Sequence, residues 1–226
     1  MGQKTVAFII PVFNEQAVIV KTVEKIPEKF LTVCVNDGSR DDTEIELKRT
    51  RALVVNHPIN IGQGAALQTG IDYALQFPEI GYFVTFDADG QHSIEDALGM
   101  LDTIKKTKVD IVVGSRFLGK AHNISLSKKL LLKLAIKFTN YFSDVTLTDT
   151  HNGLRVFNRK FAENINIEMP GMAHASEIID KMGRGKWKYV EVPVTIKYDD
   201  YSKSKGQSML NSINILVDVV LSRTRR

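Results

Sequence analysis

The chain contains a single cysteine, Cys34, which leaves no intramolecular disulfide framework and no cysteine-based zinc site. Cys34 lies in the apolar run Thr32-Val33-Cys34-Val35 and reads as an inert core residue in a reducing, cytosolic setting. Long hydrophobic runs are also missing: no segment reaches the roughly 18 unbroken apolar residues a spanning helix requires. The N-terminus passes from Lys4 through Val6–Ile10 straight into Pro11, a strand and not a signal peptide. Met1-Gly2 lacks the Ser or Thr that N-myristoylation needs where Val6 stands. The net charge of +4 is too small to argue for nucleic acid without a localised patch. His92, His151 and His174 fall in different elements and make no metal-site pattern, so they read as loop or core residues. Trp187, the only tryptophan, reads as packing. There is no internal repeat and no low-complexity linker. These absences leave a protein that is soluble or bound to a surface from outside.

What is present suits one large α/β domain: 226 residues, 43% hydrophobic and 25% charged. The basic excess lies late, in Lys128, Lys129, Lys133 and Lys137, then Lys203, Lys205, Arg223, Arg225 and Arg226. That bias fits a phosphate-bearing ligand or an anionic membrane surface.

Apolar strands are expected at 6–10, 32–36, 52–56, 82–86 and 111–114, with helices over 16–26, 43–50, 65–76 and 94–106 between them. Asn14 is placed to cap the first helix. Such alternation means right-handed βαβ crossovers and a mostly parallel sheet. After Phe117 the rhythm changes. A Lys/Leu-rich helix precedes the polar loop Asp144–Gly153, a short strand near Leu154–Phe157 and a helix around Ala175–Met182. Val190–Tyr198 reads as one or two strands around Pro193, and a last helix covers Ser208–Leu221. The expected division is a first half, 1–117, and a second half with amphipathic helices, 118–226.

The chain is organised around Tyr82-Phe83-Val84-Thr85-Phe86-Asp87-Ala88-Asp89-Gly90-Gln91-His92. A buried strand runs into two carboxylates at its carboxyl end, where open α/β sheets place ligands. Extended geometry sends Asp87, Asp89 and Gln91 to one side, an oxygen set suited to Mg²⁺ or Mn²⁺ with water and substrate phosphate. The competing reading is a polar loop with Asp as turn former. Pro11–Glu15, Asn36–Ser39 and Ser115-Arg116 end other strands on the same edge. Asp37 is placed to accept from a ribose or base, or to form an Asx turn. Arg116 is placed to fork onto phosphate oxygens, or to form a surface ion pair.

Together these motifs resemble the family 2 glycosyltransferases of the GT-A fold, and within them the polyprenyl- and dolichyl-phosphate sugar synthases. The matching residues are Pro11-Val12-Phe13-Asn14-Glu15, Val35-Asn36-Asp37-Gly38-Ser39, Asn60-Ile61-Gly62-Gln63-Gly64-Ala65-Ala66, Asp87–His92 and Gly114-Ser115-Arg116. Asp149-Thr150-His151-Asn152-Gly153-Leu154-Arg155 and Ser204-Lys205 continue the match. Phe13 stands where Tyr is commoner, Gln63 where Lys is frequent and Gly90 where Leu is frequent; none touches the carboxylates. The resemblance implies a single GT-A domain with a Rossmann-like sheet. It implies that Pro11, Phe13, Glu15 and Asp37 hold the nucleoside of a UDP- or GDP-linked sugar. Asp87, with Ala88 beside it, sits by the ribose and pyrophosphate, Asp89 and Gln91 bind the divalent cation, and Arg116 and Lys205 bind phosphate.

The expected reaction is metal-dependent, inverting glycosyl transfer at the cytosolic membrane face. A metal and basic side chains would neutralise the departing pyrophosphate. A lipid-phosphate acceptor is already anionic, and Arg155 would help hold it or serve structure. A saccharide hydroxyl needs a base, for which Asp149 is the first candidate and Glu177 the second; Asp149 reads equally as a loop-ordering acceptor. Ser125–Phe142, with Lys129, Lys133 and Lys137 beside a wide apolar face, reads as a membrane-interface helix or a core helix with a solvated stripe. The final helix and Arg223-Thr224-Arg225-Arg226 raise the same possibility, so docking on a lipid surface or on a small integral membrane partner is expected. Two readings from other classes are a sugar-phosphate nucleotidyltransferase, whose Gly-rich Arg-bearing loop is missing at Pro11–Glu15, and a non-catalytic nucleotide-sugar-binding subunit.

Overall fold

The structure is a computed structural model that describes residues 4–122 and 143–197, with residues 134, 136, 137, 140 and 141 between them. Lys205, the Ser208–Leu221 helix and most of Ser125–Phe142 lie outside the described residues. In chain order the strands are β1 Val6–Val12, β2 Leu31–Asp37, β3 Leu53–His57, β4 Tyr82–Thr85, β5 Ile111–His122, β6 Arg155–Asn158 and β7 Tyr189–Lys197. The helices are α1 Ile19–Lys25, α2 Thr43–Leu47, α3 Gln63–Leu75, α4 Ile94–Thr107, α5 Arg159–Asn164 and α6 His174–Arg184. One sheet holds the strands in the order β3-β2-β1-β4-β6-β5-β7. β6 alone runs against its neighbours, β4 and β5; the other pairs are parallel.

The sheet is buried on both faces because its strands are apolar on both faces. β1 sends Val6, Phe8, Ile10 and Val12 to one side, where α1 and α4 cover them with Ile19, Val23, Met100, Leu101 and Ile104. Ala7 and Ile9 face the other side, against Ala66, Leu67 and Ile71 of α3, Phe161 of α5 and Ile178 and Ile179 of α6. α4 has the clearest local signals: the Ser93 hydroxyl accepts from Asp96 N at 3.2 Å, Glu95 and Asp96 occupy its first turn, and Lys108 ends it in a left-handed conformation.

Several expectations need correction. Asn14 does not cap α1, which starts at Ile19 without a side-chain cap. Instead Asn14 takes φ 54° and ties two strand ends together, accepting from Arg40 N at 2.8 Å while its own N–H donates to Ser39 Oγ at 2.9 Å. β5 does not stop at Gly114 but continues to His122 beside β7. Its register with β7 shifts between Ser115 and Lys120, and Pro193 sits opposite Ser115, where the ladder is already broken. α5 was not expected, although Asn158 caps it by accepting from Phe161 N at 2.8 Å.

α3 lies close on the sheet because Gly70 has no side chain. A methyl group there would stand 2.4 Å from Ile9 Cγ2 and 3.2 Å from Val35 Cγ2, both in the core. Gly70→Ala should therefore destabilise the fold by about 1–3 kcal/mol through overpacking. The check is a lower midpoint in urea unfolding at unchanged slope.

Candidate active site at the strand edge

β1, β2, β4 and β5 are parallel, so their carboxyl ends reach one edge of the sheet. β6 runs the other way, and its first residue, Arg155, comes to the same edge. Hydrogen bonds fix the first two ends: between the loops Glu15 N donates to Thr43 Oγ1 at 2.8 Å, and within the second Ser39 N donates to Asn36 Oδ1 at 3.2 Å. Glu15 is nearly buried, Pro11 is half-buried, and Phe13 is 41% exposed, presenting its ring to solvent.

Asp87 and Asp89 follow β4 directly. Asp87 Oδ2 accepts from His92 Nε2 at 2.8 Å and Oδ1 from Gln63 Nε2 at 3.2 Å. Burial works against the Asp87 charge, but the His92 charge and hydrogen bond, followed by His174 and Arg155, hold its carboxyl below the usual range. For Asp89 the balance reverses. Burial and the neighbouring Asp87 charge push its carboxyl up to about 6, Glu15 adds to the rise, and the Gln91 amide, donating at 3.0 Å, only partly opposes it. Ala88 is buried, and its carbonyl accepts from Thr22 Oγ1 on α1 at 3.0 Å. Gly90, at φ 78°, makes the turn.

The loop before β6 presses on this pair. A Cβ on Gly153 would stand 2.5 Å from Asp87 Oδ2. Thr85 Oγ1 donates to Gly153 O at 2.6 Å and accepts from Arg155 N at 3.1 Å. Asp149, fully buried, takes Arg116 Nε at 2.6 Å and Arg116 N at 3.0 Å on one oxygen, and Arg116 NH2 donates to His151 O at 2.9 Å. The Glu191 carboxylate on β7 accepts from Thr148 N at 2.9 Å and Asp149 N at 2.8 Å. Arg116 is thus built into the loop, and Asp149 takes the arrangement of a loop-ordering acceptor.

Arg155 is 1% exposed, and its three guanidinium nitrogens have no hydrogen-bond partner among the described residues. Burial lowers its pKa to about 10, although Asp87 and Asp149 pull the other way. His151 and His174 are pushed down to about 4, mainly by burial, and are neutral at pH 7. Glu177, nearly buried, accepts from Glu168 N and Met169 N at 2.9 Å each and pairs with Lys181 Nζ at 2.9 Å.

Asp37 is 2% exposed. It accepts from His57 Nδ1 at 2.7 Å, Ile61 N at 2.9 Å and Gly62 N at 2.7 Å. The next residue, Gln63, reaches Asp87. The edge is therefore one bonded surface, from Asp37 through the start of α3 to Asp87, Gly153 and the Asp149–Arg116 pair.

A family model described as Glycosyl transferase family 2 matches residues 7–165. The chain belongs to glycosyl transferase family 2. It is similar to the UDP-N-acetylglucosamine–dolichyl-phosphate N-acetylglucosaminyltransferase of Methanococcus voltae, 27% identical over 98% of this chain and 97% of the relative. It is also similar to the polyprenol monophosphomannose synthase of Mycolicibacterium smegmatis, 28% identical over 87% of this chain and 79% of the relative. In fold it matches glucosyl-3-phosphoglycerate synthase of Mycobacterium tuberculosis, solved with Mn²⁺, UDP and phosphoglyceric acid. The TM-score is 0.70 at 16% identity, over 97% of this chain and 78% of that one. This glycosyltransferase is a single GT-A domain, and the nucleotidyltransferase reading gives way to the family match.

The residues of the transferase's strand edge suit a hard divalent cation. Among the described residues no three His, Cys, Asp or Glu side chains converge on a metal position. Asp87 and Asp89, one residue apart after β4, are carboxylates of the kind that shares such an ion with substrate phosphate and water. The crowding of Asp89 by Asp87 and Glu15 is the charge such an ion relieves. Sequence reasoning missed His92 and Glu191 as partners of the site. Only the adjacency of His92 to the Asp87-Ala88-Asp89 run hinted at its contact.

Two predictions follow from the charges. A carboxyl raised to about 6 contributes stability in its protonated form, complete below the ordinary 3.8 and lost as pH rises through about 6. In chelator, Asp89→Asn should raise thermal stability at pH 8 by up to about 3 kcal/mol and change it little at pH 4. Arg155→Met, which removes a buried cation whose guanidinium has no hydrogen-bond partner among the described residues, should stabilise the ligand-free enzyme by about 1–3 kcal/mol in urea unfolding at pH 7.

Proposed function

We propose that this enzyme moves a sugar from a nucleoside diphosphate to a lipid phosphate at a membrane surface, by single displacement with inversion at the anomeric carbon. The observation that carries the choice of acceptor is the state of the two candidate bases. Asp149 is fully buried against Arg116, and Glu177 is committed to the 168–169 backbone and Lys181. A saccharide hydroxyl needs a base within reach of its proton, whereas a phosphate oxygen arrives anionic and needs none. The names of the Methanococcus and Mycolicibacterium relatives, which specify dolichyl phosphate and polyprenol monophosphomannose, support the same choice.

In this reading Phe13 stacks on the base, Pro11 and Glu15 shape its pocket, and Asp37 meets its polar edge. Asp87 and the Ala88 backbone lie by the ribose and diphosphate. Asp89 and Gln91 hold Mg²⁺ or Mn²⁺, which when bound supplies charge neutralisation for the leaving diphosphate. His92 keeps Asp87 ionised and aimed. Arg155 acts from behind Asp87 as a buried positive charge favouring the anionic ligand, and Lys205 remains a phosphate-binding candidate. Exposed Leu134 and Tyr141, with exposed Lys137 nearby, support a lipid-facing role for that stretch. No helix among the described residues is long and apolar enough to cross a membrane.

The test is incubation with Mn²⁺, labelled nucleotide sugars and either undecaprenyl phosphate or a lipid-linked saccharide. Product is expected with the phosphate acceptor, and Asp89→Ala should cut its rate at least about a hundredfold. Product formed only with the saccharide would remove the lipid-phosphate assignment. Donor turnover unaffected by Asp89→Ala would remove the metal-site assignment.

A further inference from the structure

We infer that His57 is a specificity-determining residue: by occupying one oxygen of Asp37 it restricts the donor base to one that offers a single N–H, uracil rather than guanine. The inference rests on the reading that Asp37 meets the base.

A carboxylate has about four acceptor positions, two on each oxygen. On Asp37, Oδ1 accepts from both His57 Nδ1 and Ile61 N, and Oδ2 accepts from Gly62 N. Among the described residues these are its donors, which leaves one position, on Oδ2. His57 is held to this task from its far side, where Nε2 lies 3.0 Å from Thr69 Oγ1 on α3. The two amides are equally fixed. A Cβ on Gly38 would stand 2.4 Å from Ile59 C, so this loop lies directly over the end of β2, and Asn60 Nδ2 donates to Asp37 O at 3.1 Å.

Guanine presents N1–H and N2–H side by side and needs both oxygens of a carboxylate to satisfy them. Uracil presents one N–H between two carbonyls. Against an Asp37 with one open position, guanine leaves a donor unpaired in a nearly buried place, a loss of roughly tenfold or more in affinity. Uracil loses nothing. His57 is the only one of the three donors that comes from a side chain, so it is the one that mutation can remove.

The test is titration of the full chain, with Mn²⁺, by UDP and by GDP, for the wild type, His57→Leu and Thr69→Val. Wild type should bind UDP at least about tenfold more tightly than GDP. His57→Leu, which frees Oδ1, should narrow that gap by strengthening GDP binding, and Thr69→Val should narrow it less. GDP binding as tightly as UDP to the wild type would overturn the inference and leave the transferase reading intact. Equal weakening of both nucleotides in His57→Leu, with the ratio unchanged, would reduce His57 to a loop prop and overturn it too. Should His57→Leu not fold, the wild-type and Thr69→Val ratios decide. Binding of neither nucleotide by the wild type would instead bring down the donor reading, and this inference with it.

Discussion

The site depends on the seam between β4 and β6. Thr85, the last residue of β4, pairs with Arg155, the first of β6, and its hydroxyl bonds both Gly153 O and Arg155 N. Because the strands are antiparallel, the loop before β6 is delivered to the point where β4 releases Asp87. Gly153 lies against that carboxylate with no room for a side chain. The same loop carries Asp149, which holds Arg116 at the irregular part of β5, while Glu191 fixes the loop from β7. One seam therefore sets Asp87, from the first half of the chain, beside the loop and Arg155 of the second.

The site works against the stability of the fold, and the structure shows where. Asp89 is crowded by Asp87 and Glu15, and the Arg155 guanidinium is buried with no hydrogen-bond partner among the described residues. An apolar core would remove both strains. Polar groups held this way are usual where a charged ligand is to be bound, because groups already in place need not reorganise when it arrives. The enzyme meets the cost with a sheet covered on both faces by helices.

The Asn60–Ala66 motif has a structural role as well. Gly64 N and Ala65 N, the free amides at the start of α3, both donate to Pro170 O, at 2.6 and 3.2 Å. Side chains on Gly62 or Gly64 would collide with the carbonyls of Pro170 and Met169. The glycines let the start of α3 press against the segment before α6, while Ile61 and Gly62 turn their N–H groups to Asp37. The motif serves here to join the two sides of the edge.

Much of this was legible in the residues. Apolar runs ending in Asp37, Asp87 and Ser115-Arg116 gave the strands and their order in the chain, because apolar runs of strand length recur only where both faces are covered. The carboxylate spacing marked Asp87 and Asp89 as candidates at the edge where the strand ends gather. Pairing was not legible. That Arg155 would enter beside Thr85 on a reversed strand, that Arg116 would turn to Asp149, and that Asn14 would bind a neighbouring loop and not its own helix all depend on contacts between residues far apart in sequence. Local composition states what a side chain can bond. Only the packed sheet decides which partner is within 3 Å, and so whether a given acid or base is spent on the scaffold or left for a substrate.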